Sequence, residues 1–135
     1  MTGRTTPDNI TTLAPNQVVV FPSNLAGRHG AGFAKVCVKW GARYGIGMGP
    51  CGQTYALPTK DKQIGTLSLA HIRVQVILFL DYADCNPQTE FLVSKIGCGL
   101  ANYTPEEIAP LFIAAVHIPN VHLPAEFWAA LSKKK

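Results

Sequence analysis

Apolar positions along the chain recur in two rhythms, and the change from one to the other marks the elements. Val18-Val19-Val20-Phe21 is a continuous β-branched and aromatic run. Such a run predicts a strand buried on both faces, as in a parallel sheet. From Ala31 to Tyr44 the apolar residues Phe33, Val36, Cys37, Trp40 and Tyr44 recur at three- and four-residue steps, which predicts a helix. Gln53 to Leu57 predicts a short strand, with Pro58 as its stop. Leu69, Ile72, Val76, Phe79, Leu80 and Ala83 form a second helical stripe, broken at Asn86-Pro87. Phe91-Leu92-Val93 begins another strand leading to Ile96. Thr104-Pro105-Glu106-Glu107 is a helix start: a capping threonine, proline in the first turn and glutamate three residues after the cap. Pro110 kinks or shortens that helix. Val121-His122-Leu123 predicts a last strand, and Pro124 to Leu131 a last short helix. Residues 1–16, polar and rich in threonine, read as a loose lead-in or a partial edge element.

Strands alternating with helices imply a mostly parallel sheet covered on both faces. The 135 residues suit one domain, with 1–7 and 132–135 as loose ends. Composition agrees: 47% hydrophobic and 15% charged residues exclude a disordered chain. The strongest apolar stretch, Val74 to Leu80, contains Gln75 and runs into Asp81, far short of a membrane span, so no membrane partner is expected. The polar start Met1-Thr2-Gly3-Arg4 has no signal-peptide apolar region. The net charge of +4 owes much to Lys133, Lys134 and Lys135; without them nine basic residues face eight acidic ones. That discounts direct nucleic-acid binding. Cys37, Cys51, Cys85 and Cys98 form no C-x-x-C and no zinc pattern, so they read as reduced thiols in a cytoplasmic protein, with no metal and no cofactor expected. Compactness suggests a stand-alone bacterial or phage protein.

In parallel sheets ligands sit beyond the carboxyl ends of the strands. Eight of the twelve glycines fall between residues 27 and 52. The segment Asn24 to Gly32 joins a strand to a helix, where glycine lets the backbone approach a phosphate and a helix start supplies N–H groups. It lacks the Gly-Lys-Ser/Thr of a P-loop and is not a clean G-x-G-x-x-G. The segment Ile96 to Tyr103 follows another strand and precedes the capped helix. Two such loops on one sheet edge can clasp a diphosphate from both sides. A third glycine loop, Gly45 to Gly52, is expected to be mobile and able to close over the site.

These residues carry a resemblance. Asn9-Ile10-Thr11-Thr12-Leu13 resembles the entry segment of macro domains, and Val18 to Asn24 their strand ending in asparagine. His29-Gly30-Ala31-Gly32 and Ile96-Gly97-Cys98-Gly99-Leu100 are similar to the two loops of the branch containing terminal ADP-ribose protein glycohydrolase. The resemblance spans about residues 8–112. It implies a three-layer α/β/α macro-domain-like fold and a site for ADP-ribose or a related NAD-derived nucleotide. Asn9, with Ile10 beside it, would lie where the family's adenine-contacting aspartate sits. Asn24 would lie near the distal ribose, Gly30, Ala31 and Gly32 on one side of the diphosphate, and Gly97, Cys98, Gly99 and Leu100 on the other. Tyr103 could stack near the distal ribose. Lys60 falls near the branch's lysine, but its aspartate position is Ala101, with Asn102 beside it, and neither can act as a general base.

Several residues carry two readings at once. His29 is an acid/base or phosphate contact, or a solvent-facing loop histidine. Arg28 is a phosphate partner or a surface arginine. Gln53 could hydrogen-bond a ligand at the sheet edge. Lys60 is catalytic or merely superficial. Cys98 is a nucleophile or a small residue fitted between glycines. His71, His117 and His122 read as structural, and Trp40 as core. The leading functional expectation is a reader or sequestering module for ADP-ribose, free or on an ADP-ribosylated macromolecule. The alternative is a hydrolase that removes ADP-ribose from protein, nucleic acid or a small molecule, nucleic acid entering only as an ADP-ribosylated substrate. A third is an interaction domain whose glycine loops bind nothing.

Overall fold

The computed structural model describes residues 4–99 and 101–133. Among them, six strands form one sheet: β1 (Thr5–Thr6), β2 (Gln17–Asn24), β3 (Gly49–Cys51), β4 (Thr54–Lys60), β5 (Glu90–Val93) and β6 (Val121–Pro124). Their order across the sheet is β1-β6-β5-β2-β4-β3, every neighbouring pair being parallel except β3 with β4. Four helices accompany them: α1 (Gly32–Cys37), α2 (Leu69–Asp84), α3 (Pro105–Ile108) and α4 (Ala125–Ser132). No described helix is long and apolar enough to cross a membrane.

The unbroken apolar run of β2 serves both faces of the sheet. Val19 and Phe21 pack into a small cluster with Cys37, Ala42 and Ala56, which Phe33, Ala34 and Trp40 of the α1 segment cover. Val20 faces the other way, into a larger cluster with α2, α3, α4 and the inward residues of β4, β5 and β6. Both faces are therefore covered by helical segments. The helical stripe predicted from Leu69 to Ala83 is α2, with Ile72, Val76, Phe79, Leu80 and Ala83 buried. Ser68 caps it by accepting from the His71 backbone N–H.

Three elements depart from expectation. The helix predicted over Ala31–Tyr44 ends at Cys37 and tightens into a 3-10 turn, Val38–Trp40. Gly41 stops it at φ 118°, its backbone against Gly52; a Cβ there would lie 2.8 Å from Gly52 Cα. β4 runs through Pro58 to Lys60 rather than stopping. β3 pairs only with Thr54, Tyr55 and Ala56, so at Pro58 the missing N–H faces an unpaired edge and costs no ladder bond. Of the two readings of the lead-in, the partial edge element holds, and from Arg4 onward it is not a loose end. Thr5 and Thr6 pair with Leu123 and Pro124. The Arg4 guanidinium donates to the carbonyls of Ala115, Ile118 and Val121, and Trp128 Nε1 donates to the Arg4 carbonyl. The helix start at Thr104 is a full capping box with Glu107, and Pro110 lies where α3 gives way to a 3-10 segment, Ala109–His117.

Candidate functional site

A cleft of about 660 Å³ opens at the carboxyl ends of the parallel strands. Thr6 of β1, Asn24 of β2, Lys60 of β4, Ser94 after β5 and Pro124 of β6 all line it. The topology explains the place. β2 and β5 are adjacent, yet the connection leaving β2 packs on the small-cluster face and the connection leaving β5 on the large one. The chain parts between them, and the two loops diverge to leave a crevice, the usual ligand position in open parallel sheets.

Both predicted glycine loops lie at that crevice. Gly30, Ala31 and Gly32 line one side, and Gly97, Cys98, Gly99 and Ala101 the other. Asn9 and Ile10 line the β1 end. Asn24 lines the cleft, but its amide is spent on shaping the loop: Nδ2 donates to the Arg28 carbonyl at 2.8 Å and Oδ1 accepts from the Arg28 N–H at 3.0 Å. Leu100 lies outside the described residues. Gly97 stands at φ 75°, and a Cβ on it would lie 2.8 Å from Ile108 Cδ1, so it serves the packing of α3 as well as the loop. Gly99 has no positive φ, and among the described residues nothing lies near its absent side chain.

Four expected contacts are placed elsewhere. His29 is fully buried. Its Nε2–H donates to the carbonyls of Arg43 at 2.8 Å and Ile46 at 3.2 Å, and its ring lies between Phe21 and Tyr44. The flanking Arg28 and Gly30 face the cleft, which turns His29 inward as a core residue, neither a cleft base nor a solvent-facing one. Tyr103 is half-buried, with its hydroxyl donating to the Leu67 carbonyl at 2.7 Å. Asn102, at φ 68°, forms the turn that ends the second loop, a conformation asparagine tolerates. Neither lines the cleft. Gln53 sits at the amino end of β4, where it donates to the Ala14 and Gln17 carbonyls, away from the strand ends that form the site.

The Gly45–Gly52 segment is not a lid over the site. It braces the β2 loop from behind. The Ser23 hydroxyl donates to the Gly47 carbonyl at 2.6 Å, the Gly45 N–H donates to Gly27, and a Cβ on Gly47 would be driven into the Asn24 carbonyl.

Electrostatically the cleft is basic. Arg28, Lys60 and Lys95 line it against one carboxylate, Asp8. Lys95 is held at 2.9 Å by Glu126, and that contact lifts its pKa above the ordinary lysine value. Both side chains are half exposed, so the pair is worth little to stability. The Arg28 guanidinium and the Lys60 ammonium have no partner among the described residues. Burial pushes the Cys98 thiol up to about 11, with Glu126 adding to the shift and Lys95 opposing it, so Cys98 is a protonated thiol at neutral pH. Its S–H points to the Ile96 carbonyl at 3.4 Å. Ala101 is buried and lines the cleft. Sequence patterns missed Asp8, Phe33, Thr59, Lys95 and Ile64 as lining residues; the first four each adjoin a residue read as part of the site, and Ile64 reaches the cleft through the Asp61 turn after β4.

In comparisons with protein-family models, curated proteins and solved structures, nothing matches this chain.

Proposed function

We propose that the cleft binds ADP-ribose or a related NAD-derived nucleotide, in a macro-domain-like arrangement, and that the protein acts as a reader or sequestering module. The observation that carries the reading is the convergence of two glycine loops, from β2 and β5, on one crevice lined by three cations and a single carboxylate. Glycine permits close backbone approach, and the positive lining suits a diphosphate. A cleft of this size accommodates a nucleotide. The positions that the resemblance gives to chemistry supply no base: Ala101 offers none, His29 is in the core and Cys98 is a thiol, which leaves Asp8 as the one carboxylate among the described residues of the cleft.

Ligand that binds only the folded chain stabilises it by mass action, by about 2.7 kcal/mol at a hundredfold excess over Kd. Millimolar ADP-ribose is therefore expected to raise the melting temperature, and no shift would overturn the proposal. The hydrolase alternative rests on Lys60, a cation in the cleft with no partner among the described residues. It is supported instead if the wild type releases ADP-ribose from carboxylate-linked or nucleic-acid-linked substrates and Lys60→Ala abolishes that release.

A further inference from the structure

Ile64 is held in a backbone conformation that β-branched residues avoid. Its φ is 67°, in the left-handed region. The turn that holds it is built by Asp61. The Asp61 carboxylate accepts from the backbone N–H of Gln63 at 2.9 Å and of Gly65 at 2.8 Å. The Asp61 N–H donates to the Gly65 carbonyl at 2.8 Å, and Lys60 bridges to Thr66. Glycine or asparagine would occupy this position at less cost. A large aliphatic side chain stands there instead, 41% exposed, and lines the cleft. Local strain at an exposed apolar residue inside a binding cleft is a reason to look for a contact that the ligand completes.

Strand order says which part of a ligand that would be. β1, with Asn9 beyond it, and β4, with Lys60 at its end and Ile64 beyond it, lie on opposite sides of the β2–β5 crevice. A nucleotide with its diphosphate on the glycine loops and its base toward Asn9 extends its far sugar over the end of β4. Lys60 and Ile64 then meet whatever that sugar carries. An aliphatic side chain gains by covering an apolar face, and an ammonium beside it disfavours a cationic one. We infer that Ile64 is a specificity-determining residue, packing against an uncharged planar ring carried on the far sugar of the nucleotide. The inference rests on the nucleotide reading of the cleft and names the class of ligand it prefers.

The test is calorimetric titration of wild type, Ile64→Leu and Ile64→Asn with ADP-ribose, NADH and NAD+, beside melting curves of each variant. NADH carries a neutral ring on that sugar, NAD+ a cationic ring and ADP-ribose none. Wild type is expected to bind NADH roughly tenfold more tightly than ADP-ribose, as covering part of an isoleucine side chain implies, and NAD+ less tightly than NADH. Ile64→Asn is expected to erase the NADH advantage over ADP-ribose, bringing the ratio of the two affinities to about one, with the melting temperature equal or higher. Ile64→Leu keeps the advantage. If ADP-ribose binds but NADH binds no better, or its advantage survives Ile64→Asn, Ile64 is a turn residue and this inference falls alone. If none of the three ligands binds, the nucleotide reading falls and this inference with it.

Discussion

His29 shows how one side chain can look like chemistry and serve packing. A histidine in a glycine loop is an obvious proton carrier, yet both contacts of Nε2 are carbonyls, so that nitrogen must carry the hydrogen. The opposite nitrogen, Nδ1, is buried with no partner among the described residues. Replacing the ring leaves two carbonyls and a cavity between Phe21 and Tyr44. His29→Ala is expected to lose about 2–4 kcal/mol of stability in denaturant melts. A variant of unchanged stability would mean the ring is not packed as described. The glycines divide in a similar way. Gly32 sits at φ 61°, so any side chain there strains the backbone and a loss of binding would be ambiguous. Gly99 and Gly30 have no positive φ, and among the described residues an added Cβ meets nothing closer than the Tyr44 hydroxyl, 3.6 Å from Gly30. Gly99→Val and Gly30→Val are therefore expected to melt like wild type and yet lose ADP-ribose by steric exclusion from the diphosphate. Retained affinity in both would move the diphosphate away from these loops. The glycines were legible as loop residues from the sequence, but their separate duties were not. Whether a missing Cβ makes room for a ligand, for Ile108 or for Gly52 depends on neighbours far along the chain.

Among the elements, those set by local rules were legible. The α2 stripe and the Thr104–Glu107 box are complete within one or two turns, and both formed where the pattern placed them. The end of α1 and the run of β4 through Pro58 depend on long-range contacts: Gly41 against Gly52, and β3 covering only half of β4. The Gly45–Gly52 brace is invisible in sequence for the same reason. Adjacent strands also carry a chain of polar contacts that no motif announces. Gln17 of β2 donates to Glu90 of β5 at 2.6 Å, and Glu90 in turn meets His122 of β6 at 3.0 Å. Two influences on His122 compete. Burial lowers its pKa below the ordinary 6.5 and Arg4 adds to that, while the Glu90 carboxylate and its hydrogen bond raise it; burial prevails. The fold therefore resists a proton that the unfolded chain accepts. The contribution is fully present above pH 6.5 and is lost as pH falls toward the lower folded value. His122→Asn is expected to reduce the acid-side loss of stability relative to wild type in melts below pH 6.5. If wild type instead gains stability relative to the variant on acidification, the pairing with Glu90 outweighs burial.

At the scale of the whole molecule, the site is a product of topology. Five parallel strands end on one edge, and the chain leaves β2 and β5 toward opposite faces. The mixed α/β class and the mostly parallel sheet were legible because strands and helices alternate along the sequence. The strand order was not, and with it went the meeting of Asp8, Lys95 and Ile64, which reach the cleft from separate elements. The order also separates the two ends of the cleft, Asn9 at one and Lys60 with Ile64 at the other, around the glycine loops. The most direct measurement is calorimetric titration of ADP-ribose into wild type and into Gly99→Val under identical conditions. Saturable one-to-one binding to the wild type, absent from a variant with an unchanged melting curve, is the predicted result. No heat of binding to the wild type at millimolar ligand, or equal binding to both chains, would contradict a diphosphate held between the two glycine loops.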